Sequence, residues 1–141
     1  MAEQISVFIE NIAGRLKEIT ALLKNANIDI KAITIADAPD FGVVRMIVDN
    51  TKKALSLLRS AKFITRTTDV VAVKIENKPG SLFNVLKVLE KSNIDIEYLY
   101  SYTASPREHA ILVFRFDNNE SAQKALSNSQ ISILSTEELL K

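Results

Sequence analysis

Residues 5–14 read ISVFIENIAG, and residues 71–80 read VAVKIENKPG. The two stretches align at an offset of 66 positions, and the same offset places NIDI at residues 27–30 on NIDI at residues 93–96. Of the 34 positions that begin at residue 5, twelve are identical to their counterparts. Self-similarity at a fixed offset marks a repeated structural unit, so the chain contains two copies of a unit of roughly 70 residues. No linker composition separates the copies, and the short stretch of residues 65–69 is the only plausible joint. We therefore place domain 1 at residues 1–68 and domain 2 at residues 69–141.

Each copy has the same predicted order of elements. Val71, Val73 and Ile75 alternate with other residues, which predicts a half-buried strand that ends at Pro79 and Gly80. A helix follows, because apolar residues recur there at the spacing i, i+3, i+4, i+7. These residues are Leu82, Val85, Leu86 and Leu89. Two strands, a second helix and a short fourth strand complete the copy.

The order β-α-β-β-α-β is that of the ferredoxin-like fold, an α+β architecture. We therefore predict two tandem ferredoxin-like units, each with an antiparallel sheet covered by helices on one face. Asn50 and Asn118 are placed to cap the second helix of each copy. The second copy holds two extra residues around positions 105–109, which predicts a longer turn. Units of this size have thin cores, so we expect a homodimer or a larger oligomer.

Composition excludes several classes of function. The 141 residues are 47% hydrophobic and 25% charged, with a net charge of +1 and no cysteine. A single histidine, His109, leaves little for a metal site, and we expect neither a metal nor a cofactor. No apolar stretch is long enough to span a membrane, and no secretory signal is visible, so a cytoplasmic protein is expected.

The strand-to-helix turn of the second copy carries the most informative pattern. A helix that starts directly after Gly80 presents N–H groups near Gly80, Ser81 and Leu82 to an anion such as a carboxylate. Asn77 in the turn and Asn93 before the next strand offer amide oxygens for an ammonium group. This combination suits a free amino acid. The alternative is that Asn77 and Gly80 only build the turn and cap the helix.

The first copy keeps part of this pattern. Asn11, Gly14 and Asn27 are retained, whereas Ala13 replaces the proline and Arg15 replaces the small serine. Its turn is therefore a weaker candidate for the same kind of site.

Three tyrosines, Tyr98, Tyr100 and Tyr102, alternate along the second strand of the second copy. They share one face of the sheet, where they form either an aromatic wall for a ligand or a surface buried against another domain or subunit.

Catalytic signals are absent from the sequence. One histidine in a turn cannot complete a nucleophile–base–acid set, and no phosphate-binding or dinucleotide-binding glycine motif occurs, so we predict no catalytic residues and no enzymatic activity. Single-stranded RNA binding, which occurs on the same fold, needs stacking aromatics and a basic surface. Here residues 1–68 sum to +3 and residues 69–141 to −2, so nucleic acid is not expected as a partner.

The residues around both turns resemble the ACT domain, a small-molecule-binding regulatory module of amino-acid metabolism. The segments that carry the resemblance are IENKPGSLFNVLKVLEKSNIDIEYLYSY in the second copy and IENIAGRLKEITALLKNANIDIKAITIAD in the first. The chain looks like the stand-alone tandem ACT proteins that have no catalytic domain.

The resemblance implies a ligand bound at an interface between two ACT domains. It implies that the turn backbone binds the carboxylate and that nearby polar side chains bind the amine. The implied site in the second copy comprises Asn77, Gly80, Ser81, Leu82 and Asn93. The weaker counterparts in the first copy are Asn11, Gly14, Arg15, Leu16 and Asn27.

Two functions remain open from the sequence. The first is a non-catalytic regulatory protein that binds a free amino acid, with an enzyme of amino-acid metabolism as a further partner. The second is a structural assembly subunit that binds a partner enzyme and no metabolite.

Overall fold

A computed structural model describes residues 1–37, 39–102 and 107–140. The strands are β1 (Ala2–Ile9), β2 (Ile30–Asp37), β3 (Gly42–Val48), β4 (Ile64–Glu76), β5 (Ile96–Ser101), β6 (His109–Phe116) and β7 (Ser132–Leu134). The helices are α1 (Arg15–Asn25), α2 (Thr51–Ser60), α3 (Ser81–Lys91), α4 (Asn119–Asn128) and α5 (Thr136–Leu139). The predicted tandem ferredoxin-like fold is confirmed. The longer turn predicted around position 105 falls largely at residues 103–106, outside the described residues.

The chain divides into two compact units. The first unit is Glu3–Thr68, and the second is Asp69–Lys141 together with Met1–Ala2. Strand order is β2-β3-β1-β4 in the first unit, which contains the start of β4, and β5-β6-β4-β7 in the second. The division into domain 1 at residues 1–68 and domain 2 at residues 69–141 stays a prediction.

The joint that the sequence suggested at residues 65–69 lies inside a strand. β4 runs without interruption through these residues, so the closing strand of one copy and the opening strand of the next are a single element. Its sequence, ITRTTDVVAVKIE, is rich in β-branched residues and contains neither glycine nor proline, so nothing in it favours a break.

Each unit buries the helix faces that the sequence predicted. In the first unit, the buried side chains of α1, Ile19 and Leu23, belong to a core cluster with those of β1, β3 and α2. In the second, Val85 and Leu89 of α3 belong to the corresponding cluster. Phe114 is also fully buried there and stacks on the neighbouring Phe116, with ring centroids 5.2 Å apart. Burial of one such side chain stabilises the fold by about 1.5–3 kcal/mol.

The four long helices end in the same way. Asn27, Lys62, Asn93 and Gln130 have positive φ angles of 56°, 69°, 55° and 62°. After α3, the Asn93 N–H donates to the Glu90 carbonyl at 3.0 Å, and the next N–H donates to the Leu89 carbonyl at 3.1 Å. This pair of bonds is the Schellman motif, in which a left-handed residue stops the helix and satisfies its last carbonyl groups.

The helix starts differ between the first and second helix of each unit. α2 and α4 begin at side-chain caps, as predicted: Asn50 accepts from the Lys53 N–H, and Asn118 accepts from the Ser121 N–H. α1 and α3 begin at glycines, which have no side chain to cap the helix.

The sequence analysis missed α5. Ser135 and Glu138 form a reciprocal capping box at its start, and the spacing S-x-x-E was available in the sequence as a signal. The Tyr102 hydroxyl donates to the Leu139 carbonyl at 2.8 Å. Tyr102 and Tyr100 are buried, and Tyr98 stacks on Tyr100 with centroids 6.5 Å apart. Whether this tyrosine row lies at a subunit interface stays a prediction. No helix among the described residues is long and apolar enough to cross a membrane.

Candidate functional site

The β4–α3 turn presents the start of α3 without a side-chain cap. Gly80 adopts a left-handed conformation, with φ of 90°, and no side chain hydrogen-bonds to the helix start. The Asn84 N–H makes the first helical bond, to the Gly80 carbonyl at 3.1 Å, and the Ser81 N–H donates to the Lys78 carbonyl at 3.3 Å. Of the three N–H groups expected to meet an anion, Ser81 is therefore engaged in the turn. Those of Gly80 and Leu82 have no acceptor among the described residues, as expected for the first turn of a helix.

Asn77 connects the turn to the two residues directly before β6. Its backbone N–H donates to the Glu108 carbonyl at 3.0 Å, and its side-chain Nδ2 donates to the Arg107 carbonyl at 3.3 Å. Asn77 therefore helps to build the turn, as one interpretation of the sequence held, but its side chain does not cap α3. Its Oδ1 accepts no hydrogen bond from the described residues.

Asn93 lies at the opposite end of α3. The helix has 11 residues, so at about 1.5 Å per residue its two ends are about 16 Å apart. Asn93 contributes to a different groove there, together with Asp95 and Ile96. One amino acid cannot contact both Asn77 and Asn93 within a unit, so the expectation that the fold places both amides beside one turn is wrong. The helix predicted between Gly80 and Asn93 already implied this separation, because its length keeps the two asparagines at opposite ends.

Beside the turn lies a groove of about 460 Å³, which we call the polar groove. It is open and lies between the end of β4, the first turns of α3 and the start of β7. Its walls are Lys74, Ile75, Glu76, Lys78, Ser81, Asn84, Val85, His109, Gln130, Ile131 and Ser132. Ser81 is thus the predicted site residue that lines it. His109 is half-buried here at the start of β6, rather than the solvated turn residue expected from the sequence.

One ion pair marks the rim of the polar groove. Lys78 Nζ lies 2.9 Å from Glu76 Oε2. The hydrogen bond and the positive charge of Lys78 lower the pKa of the Glu76 carboxyl below its ordinary value of 4.5. Both groups are exposed, so the pair orders the rim and contributes little to stability.

The first unit has a groove of about 410 Å³ at the equivalent place, which we call the aromatic groove. Its walls are Phe8, Ile9, Glu10, Arg15, Phe41, Lys62, Phe63 and Ile64. Each of these positions aligns with a wall residue of the polar groove, at an offset of 66 for the first four and 68 for the last four. The repeat has therefore preserved the place of the groove and replaced its lining.

The turn beside the aromatic groove keeps its backbone shape. Gly14 has φ of 91°, matching Gly80. The side-chain Nδ2 of Asn11 donates to Asp37 Oδ1 at 2.8 Å, so this amide has a different partner from Asn77. Asn27 ends α1 as Asn93 ends α3, and Leu16 packs against the hydrophobic core as Leu82 does.

Arg15 is the main departure of the first unit. Its guanidinium lies over the Phe63 ring, with Cζ 4.7 Å from the centroid, and its Nη1 pairs with Glu18 Oε2 at 2.7 Å. Its Nε is buried and has no hydrogen-bond partner among the described residues. The position that holds a small hydroxyl in the second unit, Ser81, thus holds a fixed cation in the first.

Comparison with known proteins agrees with this geometry. The family model of the ACT domain pair matches residues 1–141. This chain belongs to the ACT domain family. A solved structure of a protein from Bacteroides thetaiotaomicron is 36% identical, covers 99% of this chain and 96% of its own, and superposes with a TM-score of 0.92.

Two structures with lower identity share the ACT fold. The regulatory subunit of aspartate kinase from Thermus thermophilus is 17% identical, covers 89% of this chain and 90% of its own, and has a TM-score of 0.65. The same subunit from Thermus flavus is 16% identical, covers 91% and 92%, and has a TM-score of 0.61. No curated protein matches the sequence.

Within residues 1–37, 39–102 and 107–140, no group of three or more His, Asp or Glu side chains is arranged to hold a metal ion. What the sequence analysis missed are the groove walls away from the turn, such as Asn84 and His109. A position-by-position comparison of the two copies would have found a signal, because His109 aligns with Phe41 and Ser81 with Arg15.

Proposed function

We propose that this ACT domain pair is a non-catalytic regulatory protein that binds a free amino acid at the β4–α3 turn of its second unit. The observation that carries the proposal is the uncapped start of α3 beside the polar groove. A ligand carboxylate accepts from the N–H groups of Gly80 and Leu82, and its ammonium donates to Asn77 Oδ1. Ser81 and the polar groove receive the ligand side chain.

Charge and size support this assignment. The N-terminus of a helix carries a partial positive charge that favours an anion by about 0.3–1 kcal/mol at an exposed site. A groove of about 460 Å³ lies within the range of small-molecule sites. Its walls carry charges of both signs, such as Lys78 and Glu76, which suits a zwitterion.

The turn is open to solvent, so a second copy of the chain is proposed to close the site. Interfaces exclude water, which strengthens the hydrogen bonds to a charged ligand. Asn93 and Asn27 reach a ligand only from such a second copy, because each lies at the far end of its own helix. We therefore propose a homodimer or larger assembly.

The first-unit turn is the weaker counterpart. Gly14, Arg15 and Leu16 repeat the backbone geometry, but Ala13 replaces the proline, and Arg15, paired with Glu18, replaces the small Ser81. A cytoplasmic location, a partner enzyme of amino-acid metabolism, and the lack of cofactor, nucleic acid and membrane partners are proposed with the same function.

A screen of the free amino acids at millimolar concentration tests the proposal, with thermal shift as the first measurement and calorimetry for affinity. For the amino acid that binds, Asn77→Ala should weaken binding about 10- to 150-fold, the loss of one hydrogen bond to a charged group. Asn77→Asp is the matched control. It also loses the bond to the Arg107 carbonyl but keeps an oxygen acceptor, so it should retain affinity.

Equal losses in Asn77→Ala and Asn77→Asp would show that the turn, rather than the ammonium contact, matters. Asn11→Ala should change affinity less than Asn77→Ala, and the reverse order would place the site in the first unit. Absence of binding by every amino acid would refute the metabolite-binding proposal.

Absence of binding would leave the assembly subunit as the function. One observation favours that second candidate: Ile35 is 53% exposed on the edge strand β2, and Phe83 is 67% exposed on α3. A contiguous apolar patch, rather than a single exposed side chain, marks a surface that binds another protein, so these two side chains are the positions at which to test for one. Ile35→Lys and Phe83→Lys should then abolish association with the partner enzyme without changing the melting temperature of the isolated protein.

A further inference from the structure

The aromatic groove of the first unit has the form of a ligand site with a chemistry of its own. Phe8 and Phe41 form one wall, with ring centroids 6.2 Å apart and planes inclined at 56°. Phe63 and Ile64 form another wall. Because the equivalent positions of Phe8 and Phe41 in the second unit are Lys74 and His109, the apolar lining is a property of this unit alone.

Arg15 places a cation in this apolar groove, and one edge of its guanidinium makes no hydrogen bond to the described residues. Stacking on Phe63 and the ion pair of Nη1 with Glu18 hold the guanidinium in place. The opposite edge, formed by Nε and Nη2, has no partner among the described residues, and Nε is buried. That edge is one of the two forks with which arginine binds a carboxylate through parallel hydrogen bonds. The Arg15 side chain as a whole is 26% exposed and lines the aromatic groove, whereas Nε itself is covered, so a carboxylate reaches this edge only as the groove walls move apart.

We propose that the aromatic groove binds a small carboxylic acid with an aromatic or branched apolar side chain. The carboxylate pairs with the Nε/Nη2 edge of Arg15, and the apolar part packs between Phe8, Phe41 and Phe63. This site is separate from the amino-acid site proposed in the second unit and does not depend on it.

The charges around the groove favour an anion over a cation. Arg66 lies with its Cζ 5.9 Å from the centroid of the Phe8 ring, and Lys62 lines the groove. Together with Arg15 they make three cations around the groove, against Glu10 in the lining and Glu18, which pairs with Arg15. An unpaired buried donor such as Nε costs free energy that an entering carboxylate recovers, since the fold gives this N–H no other acceptor.

Proton–nitrogen correlation spectra of the whole ¹⁵N-labelled protein test the proposal, with 3-phenylpropionate as the probe. The Arg15 Nε–H signal should shift downfield on titration, and amides near Phe41 and Phe63 should shift with it. 3-Phenylpropylamine has the same ring with the opposite charge, and propionate has the same carboxylate without the ring. Both should bind at least tenfold more weakly than 3-phenylpropionate.

Two variants locate the contacts. Arg15→Gln removes the charged fork and should weaken 3-phenylpropionate binding about 10-fold or more. Phe41→Ala removes an aromatic wall that is 42% exposed and should weaken binding several-fold without disturbing the core. Phe83→Ala, which removes an exposed phenylalanine of the second unit, is the matched control and should leave affinity unchanged.

Equal binding of the amine and the acid, shifts confined to the second unit, or no binding at about 10 mM would each overturn the proposal. The Arg15 Nε–H signal of the unmodified protein decides the question even if Arg15→Gln fails to fold. If an apolar peptide, but not 3-phenylpropionate, shifts the same signals, the groove is a protein-docking surface and the small-carboxylate proposal is refuted. None of these results alters the amino-acid site proposed in the second unit.

Discussion

The polar groove and the aromatic groove occupy the same place in the two units and differ at six of their eight aligned wall positions. Ser81 corresponds to Arg15, and His109 to Phe41. The place is preserved because the groove lies between elements whose positions are set by the core and by the helix ends. The walls diverge because they face solvent, where substitution costs little stability. Duplication of one scaffold has thus produced two surfaces of different chemistry.

The asparagines at the two turns show the same divergence on a smaller scale. Asn77 donates to the Arg107 carbonyl, whereas Asn11 donates to the Asp37 carboxylate. Gly42, the counterpart of Ala110, allows this because the Asn11 Oδ1 occupies the space in which a Cβ at position 42 would lie. An identical residue in an identical turn therefore has a different neighbour in each unit.

The largest effect on stability is expected from substitutions in the hydrophobic cores of the two units, where the first helices bury equivalent leucines. Leu23→Ala and Leu89→Ala each remove a fully buried leucine from the first helix of a unit. Each should lower the free energy of unfolding by about 2–5 kcal/mol, the cost of lost burial plus a cavity. Urea unfolding measures the loss, and hydrogen exchange shows which unit opens. If each variant loosens both units equally, the units are not separately folding domains.

A smaller effect is expected at the ends of α1 and α3. Asn27→Ala and Asn93→Ala should each cost about 1–2 kcal/mol, because a left-handed residue with a Cβ is strained when it has no local polar compensation. Asn27→Gly and Asn93→Gly should keep stability within about 0.5 kcal/mol of the unmodified protein.

The glycine variants also distinguish a role in ending the helix from a role in binding the amino acid. Asn93→Gly should lower affinity for the amino acid, while Asn27→Gly should lower it less. Unchanged affinity in Asn93→Gly would assign that residue to helix termination alone.

Gly42→Ala tests why the two turn asparagines differ. A Cβ at position 42 would lie 2.8 Å from Asn11 Oδ1, so the Asn11 side chain must shift, and its bond to Asp37 is expected to weaken. A compatible Gly→Ala change stabilises by about 0.4–1 kcal/mol, but here a loss of about 1 kcal/mol is expected. The urea midpoint and the Asn11 side-chain amide signals measure it. A raised midpoint with unmoved Asn11 signals would contradict this explanation.

The smallest effect concerns the rim of the polar groove. Lys78→Ile gives the second unit the residue found at position 12 of the first and removes the partner of Glu76. The pKa of Glu76 should rise toward 4.5, which carbon-detected titration of its carboxyl measures. Since the folded pKa is depressed, the pair stabilises above the ordinary carboxyl pKa, and this contribution disappears as pH falls through the folded value. An unchanged Glu76 pKa would show that another group lowers it.

The sequence by itself determined the repeat, the order of elements and the core faces. Alternation in residues 71–75 and the spacing of Val85 and Leu89 reflect burial on one face, a property that each segment carries locally. The caps Asn50 and Asn118 were predictable for the same reason, because a cap contacts N–H groups only two or three residues away.

Only the tertiary structure decided the parts that depend on residues distant in sequence. It joined two predicted strands into β4 and brought Arg15 onto Phe63, which lies 48 positions later. The grooves belong to this second class, because each has walls from the start and from the end of its unit. Local patterns fix elements through their own periodicity, whereas a concave surface exists only after packing places separate elements side by side.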